Sequence, residues 1–388
     1  MRAFRGSPNR LSCAVIPFDE DADALVDGAR PELVPAADGV QHAEPLALEA
    51  LDDLARLPGV SRVVGFSPLV GGSRVPFGTS FELDGHARFD VGPLAPEPGL
   101  GTRVALVRGL KARLAKRRRG EISHDLGLAA IAGASAGPVW TVPMLDAVAR
   151  HGAQGIRSKA RGNSIPTRFE EPALTLADPA CVSADARIAG APAMGSIGFG
   201  HRELTLWKVE PVDAYAKGEL GKAELALVIR AGSVGYGRQV LLDESASSGS
   251  SLDSQTGRHA LASLAAAQNL AQANREILEV RARRLFADRF GAKLELDGWL
   301  DQTELAFDEL TSGLRVRRGV LAPLAGGHFL LSGATPDAPR WLCGANAARL
   351  AATRWTAETP PGATWVQPIA RLTLLAGFQS RPRTSHHD

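Results

Sequence analysis

The chain has little of what marks several functional classes. Its three cysteines, Cys13, Cys181 and Cys343, are odd in number and far apart, and no Cys-x-x-Cys occurs. Neither a disulfide framework nor a zinc ribbon is supported, and a reducing, cytoplasmic setting is expected. Charge of one sign is also lacking. Lys and Arg number 44 against 42 Asp and Glu, for a net charge of +2, so any nucleic-acid contact must come from local patches. Met1–Pro17 has no apolar run of signal-peptide length. Residues 126–145 carry no charge, but they are rich in Gly, Ala and Ser and hold Pro138 and Pro143. A membrane span there is not expected, nor is there an internal repeat.

What is present is glycine in tight frames. Met194-Gly195-Ser196-Ile197-Gly198-Phe199-Gly200-His201-Arg202-Glu203 is one such block, and Arg230-Ala231-Gly232-Ser233-Val234-Gly235-Tyr236-Gly237-Arg238 is another. Each sits beside a strand-like apolar run, where glycine lets backbone bend or approach a ligand. Neither has the order or context of a dinucleotide fingerprint.

The pattern along the chain reads as α+β. Expected elements are a helix over 46–57, a strand over 60–66 and a hairpin over 77–89 turning at Asp84-Gly85. A strand from Val104 runs into a basic helix ending at Arg119, and a short helix covers 144–155. Residues 156–193 read as irregular, 202–209 and 225–230 as buried strands, and 243–257 as a Ser- and Asp-rich loop. One long helix is expected over His259–Phe290, closed by Gly291.

Six blocks, in order, resemble the RtcB family of RNA ligases, and in particular its shorter branch linked to release factor H. They are Val63–Gly72, the Gly195 block, the Gly232 block, Ala265–Arg275, Val316–Val320 and Ala370–Gln379. The resemblance runs from about residue 50 to 380 and implies an RtcB-like α+β fold, with central strands around a cleft and one long helix. It implies a single domain over 1–380, with 1–45 as a divergent N-terminal segment and 381–388 as a disordered tail.

The resemblance further implies joining of RNA 3′-phosphate or 2′,3′-cyclic phosphate ends to 5′-hydroxyl ends, with GTP and manganese and a guanylylated histidine. The positions that match the family's reactive residues carry other side chains. Leu94 and Glu97 stand near the metal-binding Asp and Cys, Arg202 at a metal-binding His, Arg230 at the next, and Thr303 near a further one. Gln379 stands where the closing-strand Lys would be, and no histidine occurs between Phe329 and Ser385. Arginine does not deprotonate in proteins, so it repels a metal. It does hold phosphate in bidentate fashion.

These residues lead to a non-ligating homologue that binds RNA ends, a nucleotide or an intact relative, with no cofactor expected. Arg202, Arg230, Arg238, Arg317, Arg318 and the basic run Lys116, Arg117, Arg118, Arg119 are its candidate phosphate contacts, with Ser233 in the same cleft. The plainer alternative is that these are ion-paired or solvated arginines. Glu97, His201 and Glu203 are a weak metal candidate set, against a structural role for His201. Two rival functions stay open. One is an active GTP- and manganese-dependent ligase with a rearranged site. The other is an interaction subunit whose partner is an intact RtcB relative or a release-factor-like protein. Cys343 reads as a buried, inert thiol and His124-Asp125 as a helix-start pair.

Overall fold

In the computed structural model the described residues are 97–110, 126–133, 140–152, 154–155, 176–198, 202–233, 235–244, 253–291 and 295–303, isolated positions within 114–124, and strands elsewhere. Those strands are at 2–5, 12–15, 32–33, 60–65, 79–84, 88–89, 250–251, 305–310, 313–318, 328–331, 340–345 and 366–379. The chain divides into two compact units. The first comprises Met1–Pro96, Glu244–Ala260 and Glu304–Arg371, the second Glu97–Asp243, Leu261–Thr303 and Leu372–Asp388.

The first unit holds β1 (Arg2–Arg5), β2 (Ser12–Val15), β3 (Glu32–Leu33), β4 (Val60–Gly65), β5 (Thr79–Asp84) and β6 (Arg88–Phe89). It also holds β10 (Ser250–Ser251), β12 (Leu305–Leu310), β13 (Gly313–Arg318), β14 (His328–Leu331) and β15 (Arg340–Ala345). Five of these form a sheet in the order β12-β13-β5-β4-β3. The pair β3/β4 is parallel and the others are antiparallel. The expected hairpin over 77–89 does not form. β5 pairs with β4 and β13, whereas β6 pairs with β10. Asp84-Gly85 does end a strand, but the chain that follows finds a different partner.

The second unit is built on β7 (Gly101–Arg108), β8 (Glu203–Pro211), β9 (Leu225–Ala231), β11 (Glu295–Thr303) and the C-terminal part of β16 (Val366–Gln379). Its strand order is β11-β7-β9-β8-β16. β7, β9 and β8 are apolar on both faces, as strands covered on both sides must be. Ala105, Val107, Leu225, Leu227, Ile229, Leu204 and Leu206 join a core cluster with Leu278, Ala282 and Phe286 of the long helix. Val104, Leu106, Val228 and Trp207 alternate with them and are also buried.

The helices of this unit are α1 (Leu128–Ala132), α2 (Val142–His151), α3 (Ala184–Gly190), α4 (Ala214–Leu220) and α5 (Gly235–Glu244). The long helix α6 spans Gln255–Phe290, one turn longer at its start than its sequence pattern indicates. The helix α3 corrects the irregular reading of 156–193. Ser183 caps it, its Oγ accepting from the Ala186 N–H at 3.1 Å, and Arg187 ties it to Asp146 of α2 at 2.9 Å. The uncharged run near 126–145 is used in α1 and α2. No helix among the described residues is long and apolar enough to cross a membrane.

From Ala262 to Glu279 nearly every residue of α6 is buried, which explains its many alanines: neighbours approach the helix closely on several sides. The loop before β7 is one of them. A Cβ on Gly99 would lie 2.6 Å from Cβ of Ala271 and 2.7 Å from Cα of Gln268, and Gly99 has φ +77°. Glycine is required there on both counts.

Candidate functional site

The site is assembled by polar residues in the middle of α6. Asn274 lies between the two glycine-framed loops. Its Oδ1 accepts from the Gly195 N–H at 2.6 Å, and its Nδ2 donates to the carbonyls of Ser196 at 2.9 Å and Gly232 at 2.8 Å. One fully buried side chain thus fixes both loops, since buried amide groups must be paired.

Arg275 does the same for three strand ends. Its Nη1 donates to the carbonyls of Gly99 at 2.6 Å and Ala231 at 3.1 Å, and its Nε to Asp301 at 2.8 Å. Its Nη2 reaches Thr303 Oγ1 at 3.4 Å. Asp301 also holds Arg103, which bonds Glu279 at 2.5 Å and lies 3.7 Å from Glu276. Burial alone would lower the Arg103 pKa, but Glu279, Asp301 and Glu276 together raise it above the ordinary arginine value. The cluster joins α6 to β7 and β11. Arg281, whose pKa is lowered by burial, gives its donors to the carbonyls of Ala130, Gly133 and Gly195.

Between these anchors sit Glu97, Arg202 and Ser233. Arg202 Nη2 donates to Glu97 Oε2, and the two side chains are 13% and 8% exposed. Ser233 Oγ donates to Glu97 Oε1 at 2.8 Å and accepts from the Gly237 N–H at 2.9 Å. The frame glycines make room for this group. A Cβ on Gly232 would lie 2.6 Å from Glu97 Oε1, and one on Gly237 would lie 2.4 Å from Ser233 Oγ and 2.8 Å from Glu97 Cγ.

The structure therefore brings Arg202, Glu97 and Ser233 of the candidate residues together. Glu203 is buried on β8, directly across from Arg230 on β9, and Thr102 of β7 lies across from Arg230 on the other side. These three share one face of the sheet. Thr303 is held by Arg275, away from any candidate partner among the bonds described. Arg238 is exposed on α5. Arg317 and Arg318 lie on β13 of the other unit, in register with Ser80 and Thr79 of β5. Gln379 ends β16 and Cys343 lies in β15. Leu94, His201, Lys116, Arg117, Arg118 and Arg119 lie outside the described residues, as does the expected helix over 46–57.

Manganese does not fit these residues. Glu97 gives one carboxylate oxygen to a guanidinium and the other to a hydroxyl donor. A fixed cation beside the carboxylate opposes a second one. Among the described residues no group of three or more His, Cys, Asp or Glu side chains is placed to hold a metal ion.

Sequence reasoning missed Asn274, Arg275, Arg103 and Arg281. The signal was available in part: Asn269, Asn274, Arg275, Glu276 and Glu279 interrupt a run of Ala and Leu, and Asn274 lies off the helix face that the other four share.

No family model matches the chain. Curated proteins do, among them two named RNA-splicing ligase RtcB, from Mycobacterium bovis and Mycobacterium tuberculosis. Each is 28% identical over 277 residues, covering 63% of this chain and 63% of the relative. The chain is distantly homologous to RtcB RNA-splicing ligases. It spans under two thirds of the length of the relatives it matches.

Proposed function

We propose that this protein is a degenerate, non-ligating RtcB homologue of RNA repair or processing that captures a phosphate-bearing RNA end. Nucleotide capture and docking of an intact relative are the neighbouring readings of the same site. The observation that carries the proposal is the Arg202–Glu97 pair. A guanidinium stands where the resemblance would put a metal-binding histidine, and it already neutralises the nearest carboxylate. The ligase reaction needs divalent metal to polarise phosphoryl oxygens and align the attack. The residues present supply fixed positive charge instead, which suits recognition of a phosphate more than its transfer.

Arg202 and Arg230 are the main candidate contacts, with Arg238 exposed nearby in sequence. No GTP or manganese is required by this reading. The test is binding of one short RNA carrying either a 3′-phosphate or a 3′-hydroxyl, followed across a salt series. Preference for the phosphate end, with affinity falling steeply with salt, is the expected result. Equal, negligible binding of both would sink it and leave the interaction-subunit reading, to be pursued by co-purification.

A further inference from the structure

Glu97 is seated as a ligand would be. Its carboxylate receives a hydroxyl hydrogen from Ser233 at 2.8 Å and a guanidinium hydrogen from Arg202. The backbone presses against it at Gly232 and Gly237, which have no side chain to block the approach. The seat itself belongs to other elements: the residue before β8, and the turn from β9 into α5. That turn opens a ten-residue helix, and Ser233 Oγ is fixed to it by the Gly237 N–H. Glu97 comes from the loop before β7, 105 residues away from Arg202 in sequence. A guanidinium and a hydroxyl form a donor pair for an oxyanion in general, and a phosphate oxygen satisfies it as a carboxylate oxygen does.

We propose that Glu97 is the resident occupant of an oxyanion site, and that a phosphate group enters by displacing its carboxylate. The protein is then self-inhibited at this site: the ligand must replace a bond already made inside the chain. This rests on the phosphate-end reading above and adds a gate to it. A glutamate has three rotatable side-chain bonds, so the carboxylate can leave without moving the Gly99 turn that Arg275 holds.

The test uses the full chain and inorganic phosphate as probe, by calorimetric titration of wild type, Glu97→Gln, Glu97→Ala and the double variant Glu97→Ala/Ser233→Ala. The gate predicts at least tenfold tighter phosphate binding in Glu97→Ala than in wild type, a smaller gain in Glu97→Gln, and loss of the gain in the double variant. Glu97→Gln keeps the side-chain shape, so the test survives if Glu97→Ala fails to fold. Phosphate affinity in both folded variants at or below wild type overturns the gate. The same proteins are titrated with 3′-phosphate and 3′-hydroxyl RNA. If wild type prefers the phosphate end while the Glu97 variants bind no more tightly, the gate fails and the function stands. If the variants gain inorganic phosphate but no protein prefers the phosphate end, the gate stands and the function fails.

Discussion

Arg202 and Glu97 form a nearly buried ion pair, and Ser233 holds the other oxygen of the same carboxylate. Charges removed from water are stable only when paired and fully hydrogen-bonded. Arg202→Ala is therefore expected to cost about 3–5 kcal/mol, because it strands a buried carboxylate. Arg202→Ala combined with Glu97→Gln should recover much of that loss. Urea melts of the two variants check this; a larger loss in the double variant would contradict the pairing.

Asn274 supplies both a donor and an acceptor to the two glycine-framed loops. Asn274→Ala removes the hydrogen bonds to the Gly195 N–H and to the Ser196 and Gly232 carbonyls, with an expected cost of about 3 kcal/mol. Asn274→Asp should be no better, since it keeps the acceptor for Gly195 but sets a carboxylate against two carbonyls. Hydrogen exchange should show the Gly195 and Gly232 loops opening in both variants while β7 and β9 stay protected.

Much of the second unit was legible in the sequence. β7 carries an apolar run at Val104–Val107 and β9 one at Leu225–Ile229, and α6 shows its length through alanine, leucine and the closing Gly291. The ion pair was not, because residue types alone do not say that side chains 105 positions apart meet. Arg202 reads as an open phosphate contact, whereas in the fold it is already engaged. Helix α3 was hidden because seven residues rich in alanine give no periodic signal; in the fold the Ser183 cap and the Arg187–Asp146 pair help define it. The hairpin at Asp84-Gly85 failed for another reason: turn chemistry ends a strand but does not choose the partner of the next one.

Two helical glycines should respond with opposite signs. Gly237→Ala drives a Cβ to within 2.4 Å of Ser233 Oγ, so it should destabilise by about 1–3 kcal/mol through overpacking. Gly218 in α4 has nothing within 4 Å of the added atom, so Gly218→Ala should stabilise by about 0.8 kcal/mol from helix propensity. Thermal melts under one condition compare them directly.

Tyr236 is fully buried and its hydroxyl has no hydrogen-bond partner among the described residues. Burial raises its pKa above the ordinary tyrosine value, outweighing the opposing effect of Arg187. The folded state therefore keeps its proton longer than the unfolded chain. The stability linked to this group is complete below the unfolded pKa of about 10 and is lost as pH rises beyond it. Tyr236→Phe should add about 1 kcal/mol at neutral pH by removing an unsatisfied hydroxyl. It should also flatten the loss of stability between neutral and strongly alkaline pH, measured by denaturant titration at each pH.

Replacement of the family's metal chemistry by fixed arginine charge, as proposed above, can be read out by incubating the purified protein with radiolabelled GTP and manganese, denaturing it and measuring label on the chain. An RtcB ligase treated in parallel provides the positive control. The control is expected to carry label and this protein none. A covalent guanylate here would contradict the proposal, and peptide mapping would then locate the nucleophile.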